Sequence, residues 1–229
     1  DTLVHTIVHD LRNPLNNIIA SLDLMDIGLD RVTQPNGEDN SQDECLTLRT
    51  TAQASANRMI SLVNSILDIS KMESGQMALE RQVINLNQLI DDVIHLQIPL
   101  ASLNNVSIEE QIPAELPPVM VDPNLIRRVL QNLLDNAIRF APKKSSISLK
   151  VDAPPGQSII LFSVQDRGPG ISPELQARIF EKFTTGKEQR GSGLGLAFCR
   201  LAVEAHKGKI WVESNSEQGT TFSFTLPTQ

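Results

Sequence analysis

Only two cysteines occur in the 229 residues, Cys45 and Cys199, far apart and without a C-x-x-C spacing. Neither a disulfide framework nor a zinc site is indicated, and a reducing, cytoplasmic compartment fits best. No apolar run approaches the ~20 residues that a membrane helix needs, and no signal-peptide pattern opens the chain. Positive charge is also short: 20 Lys and Arg stand against 27 Asp and Glu, a net charge of -7. That balance argues against a protein that holds nucleic acid by neutralising phosphates. There is no internal repeat. Gly186-Lys187 is followed by Glu188, so no Walker A run is present, and the dinucleotide G-x-G-x-x-G spacing is also missing. What remains is ordinary globular usage, 40% apolar and 21% charged, in a chain long enough for one large domain or two modest ones. Asp1 begins without a Met inside what reads as a helix, so an upstream sensor domain or membrane segment is expected outside this stretch.

From Asp1 to about Gly28, Leu3, Ile7, Leu11, Leu15, Ile18, Leu22 and Met25 recur at spacings of three and four, which predicts a long amphipathic helix. A polar stretch through Asn40 follows, and Ser41-Gln42-Asp43-Glu44 then supplies a capping box for a second helix ending near Gly75. Two helices alone cannot enclose the wide apolar stripes they carry. Two copies of the hairpin can, as a four-helix bundle, so a homodimer is expected. After Gly75 the pattern becomes α+β. A helix opens at Asn85, short strands fall at 106–112 and 119–121, and Asp122-Pro123 starts a well-marked helix. Strands at 146–151 and 158–165 flank the Pro154-Pro155-Gly156 turn. Helices from Pro173 and Leu194, then a hairpin of 209–214 with 221–226, complete a sandwich in which Trp211 is read as sheet core. The domains expected are 1–75 and 76–229.

Four short runs bear on chemistry. His9-Asp10-Leu11-Arg12-Asn13-Pro14-Leu15 puts an imidazole off the main apolar stripe, with Asn13 one turn further along the same face. Neutral imidazole is a good phosphoryl acceptor, and a carboxylate such as Asp10 stabilises the charge that develops on it. Pro14 removes the amide that would bond the Asp10 carbonyl, which weakens the helix beside His9. On the fourth helix Arg128, Asn132, Asn136 and Arg139 step along one polar face, suited to an ionic ligand, with Phe140 able to stack on a base. Asp166-Arg167-Gly168-Pro169-Gly170 ends a strand with an acceptor-only carboxylate, a fit for the amine of adenine, and glycines that let backbone approach the base closely. Gly191-Ser192-Gly193-Leu194-Gly195-Leu196 runs into a helix, where glycine amides and the helix field favour phosphate. Each run alone also reads blandly, as an exposed histidine, a solvated helix face, a simple turn or a flexible linker.

Taken together and in this order, they resemble the transmitter region of a two-component sensor histidine kinase. His9 to Leu15 looks like the H box, Asn132 to Phe140 the N box, Asp166 to Gly170 the G1 box, Phe180-Glu181-Lys182-Phe183 the F box and Gly191 to Leu196 the G2 box. The resemblance implies a dimeric phosphoacceptor hairpin followed by an ATP-binding α/β sandwich of the type shared with DNA gyrase B and related chaperone ATPases. It implies ATP and Mg2+, with Asn136 as the metal ligand and Asn132 near the phosphates. Asp166, Gly168 and Gly170 would lie at the adenine, and Phe140 would pack beside it. Arg139 and Lys182 would meet the phosphate end, together with Gly191, Gly193, Leu194, Gly195 and Leu196. Thr184 to Arg190 would form the lid. His9 would take the γ-phosphoryl group, with Asp10 as base or orienter, and pass it to an aspartate on a response-regulator receiver domain. Asn13 would place water for dephosphorylating that partner. A silent nucleotide-binding scaffold dimer and an ATP-driven clamp are the competing readings.

Overall fold

The computed structural model describes residues 11, 13–22, 24–25, 41–185, 192–215 and 218–228. The chain divides into two compact units, Asp1–Leu67 and Asp68–Gln229. In the first, residues 11, 13–22, 24 and 25 are helical (α1), and helix α2 spans Ser41–Glu73, its last turns belonging to the second unit. Among the described residues the expected apolar stripes are only partly covered, while Leu3 and Ile7 lie outside those residues. Leu15, Ile19, Leu22 and Leu24 on α1, and Ile60, Val63 and Leu67 on α2, stand exposed. Gly75 follows α2 in the left-handed region at φ 66°, a conformation that costs glycine little.

The second unit comprises β1 (Gln82–Ile84), α3 (Leu86–Leu103), β2 (Ser107–Gln111), β3 (Val119–Val121), α4 (Pro123–Phe140), β4 (Ser146–Asp152), β5 (Ile159–Asp166), α5 (Pro173–Gln176), α6 (Gly195–Ala205), β6 (Ile210–Asn215) and β7 (Gly219–Pro227). The helix starts follow from local chemistry. The Asn85 side chain accepts from Asn87 N–H at 3.0 Å, and Asp122 Oδ1 accepts from Asn124 and Leu125 N–H at 3.0 and 3.3 Å, with Pro123 in the first turn. Five strands form one sheet in the order β2-β4-β5-β7-β6, and β1 pairs antiparallel with β3 in a separate ribbon. Within the large sheet β2 runs parallel to β4, while the other neighbours are antiparallel.

Period-two alternation sorts the sheet's faces. Ile147, Leu149, Ile160, Phe162, Val164, Phe222 and Phe224 are buried, as are Ile126, Leu130, Leu133 and Ile138 of α4, which packs on β5. The Phe162 and Phe224 rings stack at 4.5 Å, and burial of each such side chain contributes about 1.5–3 kcal/mol. Serine, threonine, glutamine and lysine occupy the opposite face. Trp211 belongs there, paired in register with Ser223 and only half-buried, because Ile210 and Val212 take the register positions of Phe224 and Phe222. This corrects its expected place in the core.

Candidate functional site

The site is built around α4, whose inner face is apolar and whose other residues meet the turn after β5 and the start of α6. Asn132 and Asn136 are half-buried there, while Arg139 and Phe140 are exposed at its end. A Cβ added to Gly195, the first residue of α6, would lie 3.1 Å from Asn132 Oδ1. A Cβ on Gly168 would meet Asp166 Oδ1 at 2.7 Å and the Phe140 carbonyl at 2.8 Å. Three of the four sequence runs therefore converge on one helix. Arg128 does not face the same cleft as its spacing suggested. It pairs with Asp68 and lies 4.0 Å from the Phe198 ring centroid, so it fastens α4 rather than offering itself to a ligand.

Asp166 ends β5 with only 4% exposure. Burial raises its pKa, opposed by hydrogen bonds donated from the backbone N–H groups of Gly168, at 2.7 Å, and Thr220. These two amides offset part of the cost that burial places on the charged carboxylate. Gly170 completes the turn at φ 78°. Thr220, itself 4% exposed, escapes sequence inspection because it contributes a backbone donor from a strand distant in the chain; the signal was the Gly219-Thr220 pair opposite Asp166 in the β5–β7 register.

The glycine-rich run is anchored from behind. Phe183 N–H donates to the Gly193 carbonyl at 2.9 Å, with Phe183 at φ 61° and Gly193 at φ 65°. Leu194 is buried at 2% exposure, so it roots the loop in the core, and Leu196 is half-buried on the first turn of α6. Gly191, with residues 186–190 of the expected lid, lies outside the described residues, as do His9 and Asp10. Asn13 is exposed on α1 beside buried Pro14. Lys182 is engaged: its ammonium lies 2.8 Å from Glu73 Oε1. Asp135 has a raised pKa through burial, offset by a hydrogen bond from Gln97 and the charge of Arg139. Cys199, beneath Asn132, is fully buried and pushed up to about 12, an unreactive thiol at neutral pH.

This arrangement offers a buried acceptor for an amine at one end and amides at a helix start with amide oxygens beside them at the other. Neutral, hard oxygens on Asn132 and Asn136 suit Mg2+, which completes its shell with water and phosphate oxygens.

Comparison with known proteins agrees with that chemistry. Residues 1–75 match the His Kinase A (phospho-acceptor) domain model, and residues 121–229 match the model for the histidine kinase-, DNA gyrase B- and HSP90-like ATPase. The adaptive-response sensory kinase SasA of Synechococcus sp. (strain JA-3-3Ab) is 33% identical over 99% of this chain, which spans 59% of that relative's length. The catalytic domain of histidine kinase ThkA is 35% identical over 65% of this chain and 96% of its own, with a TM-score of 0.59. ThkA in complex with response regulator protein TrrA aligns over 100% of this chain and 62% of that one, at 26% identity and a TM-score of 0.69. A chain that matches both parts of one architecture, in order and at these identities, belongs to the sensor histidine kinase family.

Proposed function

We propose that this chain transfers the γ-phosphoryl group of ATP to its own His9 and passes it to an aspartate on a response-regulator receiver domain. The observation that carries the reading is the convergence of Asn132 with Gly195 and of Phe140 with Gly168 and Asp166, in a chain whose sequence carries the run His9 to Leu15. The match to a phosphoacceptor model over 1–75 and the response regulator bound to ThkA support the acceptor and the partner. The functional division is 1–75 for phosphotransfer and 76–229 for catalysis.

The residues take the following roles. Asp166 accepts from the adenine amine, Gly168 and Gly170 let backbone approach the base, and Phe140 packs beside it. Asn132, with the amides of Gly191, Gly193, Leu194, Gly195 and Leu196, lies along the phosphates at the start of α6, where the helix field favours negative charge. Arg139 and Lys182 oppose the terminal phosphates. Asn136 would hold Mg2+, which when bound neutralises charge on the phosphate oxygens. An imidazole nitrogen of His9 attacks phosphorus in line, the bond to the β,γ-bridging oxygen breaks and ADP leaves. Asp10 takes the ring proton or stabilises the imidazolium. Asn13 orients water for hydrolysis of the regulator's acyl phosphate. The exposed apolar residues of α1 and α2 are covered by a second copy of the hairpin.

Incorporation of γ-labelled phosphate from Mg-ATP tests the proposal. Acid-labile, alkali-stable label that disappears in His9→Gln is the expected result. ATP binding without label would reduce the chain to a nucleotide-binding module. Asn13→Ala should label normally while dephosphorylating the regulator more slowly.

A further inference from the structure

The β6–β7 hairpin closes behind the Asp166 turn through hydrogen bonds centred on Ser214. Ser214 stands opposite Thr220 in the antiparallel register. Its Oγ accepts Ile171 N–H at 2.8 Å, donates to the Gly219 carbonyl at 3.0 Å and lies 2.8 Å from Thr220 Oγ1. A hydroxyl has one proton and two lone pairs. A carbonyl can only accept, so the Ser214 proton is committed to Gly219. Ile171 occupies one lone pair, and Thr220 must be the donor to the other. Every capacity of Ser214 is then used, and Thr220 Oγ1 keeps lone pairs only. Gln176 completes the clamp, its Nε2 donating to the carbonyls of Ile171 at 2.6 Å and Ser214 at 3.0 Å.

This hairpin bears directly on Asp166. Thr220 N–H donates to the Asp166 carboxylate, and a Cβ added to Gly219 would fall 2.1 Å from the Asp166 carbonyl oxygen. The far end of the turn, Ile171, is tied to the same serine. Both ends of the Asp166–Ile171 segment therefore depend on the register and proton order of one strand pair.

We infer that Ser214 is a positioning residue of the adenine site, one that fixes the Asp166 turn and, by taking the Thr220 proton, leaves acceptors alone beside it. The inference rests on the reading of Asp166 as the acceptor for the adenine amine. Acceptors suit the amino group that adenine carries at C6 and oppose the carbonyl that guanine carries there. Ser214 thus contributes to the choice of ATP over GTP without touching either nucleotide.

Displacement of trinitrophenyl-ATP from the full chain by ATP and by GTP, alongside label incorporation at varied ATP, tests this. Ser214→Ala should weaken ATP binding roughly three- to tenfold. It should also narrow the preference over GTP and raise KM with kcat within about twofold of wild type. Ser214→Thr keeps the hydroxyl and should restore both affinity and preference. Gln176→Ala, which loosens the turn but leaves the Thr220 proton held, should weaken ATP and GTP in proportion. Wild-type affinity and preference in Ser214→Ala, a fall in kcat at constant KM, or failure of Ser214→Thr to restore would each overturn the inference. Displacement needs no phosphoryl transfer, so a wild-type chain that binds ATP without labelling refutes the kinase reading while the titrations still decide the role of Ser214.

Discussion

Replacing Gly193 with alanine sets two separable costs against the proposed nucleotide site. The first is conformational: at φ 65° an L-residue is strained, by about 1–2 kcal/mol. The second is steric, since the new Cβ would lie 2.6 Å from Phe183 C and Cα and 2.7 Å from Thr184 N. These are backbone atoms, which cannot rotate aside, so the Phe183–Gly193 hydrogen bond is lost at a further cost of about 1 kcal/mol. The sum, about 2–3 kcal/mol, corresponds to a melting-point drop of roughly 4–12 °C if it is felt by the whole second unit. If the loop yields locally, the same free energy appears as a roughly 30- to 150-fold loss of ATP affinity. Gly156→Ala is the control, because Gly156 sits at φ 78° with nothing within 4 Å of its added Cβ. It should show only the conformational part, with ATP binding unchanged. Thermal unfolding with and without nucleotide, read for both variants, measures the difference. If Gly193→Ala melts with Gly156→Ala and binds ATP as wild type does, the close backbone approach does not hold the loop and the reasoning fails.

His206 predicts a pH dependence. Its ring is 3% exposed, Nδ1–H donates to the Ala202 carbonyl at 2.7 Å, and Nε2 accepts Asp122 N–H at 2.9 Å, so the neutral form is required. Burial lowers its pKa from 6.5, with Arg81 adding to that effect and Ala202 and Asp122 opposing it. The unfolded chain therefore binds the proton more readily, and stability should fall as pH drops below the ordinary histidine range. Urea unfolding from pH 8 to 5 should show this slope, reduced in His206→Gln; an equal slope in both would exclude His206 as its source. At the proposed phosphate end, Glu73→Gln releases Lys182 from a partly exposed pair and should lower KM for ATP, by no more than about fivefold. An unchanged or higher KM would mean that Lys182 does not face the nucleotide.

Much of the second unit was legible because its signals are local. Asp122-Pro123 and Asn85 announce their helices by capping chemistry, and both helices begin where that chemistry places them. The ribbon of β1 with β3 was not legible, since Gln82–Ile84 is too short to show alternation and its partner lies beyond α3 and β2. The parallel pairing of β2 with β4 was hidden for the same reason, as β3 and α4 intervene. In the site, Asp166, Gly168, Asn132 and Gly195 could be picked out by residue type. Thr220 and Ser214 could not, because what they supply depends on which strand lies opposite. Arg128 misled because helical spacing gives a direction from the axis but not the neighbour found there, here Asp68 and Phe198.

The bond between Phe183 and Gly193 turns everything between them into a closed loop with a fixed base. In such a loop the cost of extra residues grows only logarithmically, about 0.6 kcal/mol for a doubling in length. Changes of length or composition between the two anchors thus cost little in chain entropy, while buried Leu194 holds the start of α6 independently of them. The Gly193 anchor and the sequence it closes off can therefore be altered by mutation independently of each other.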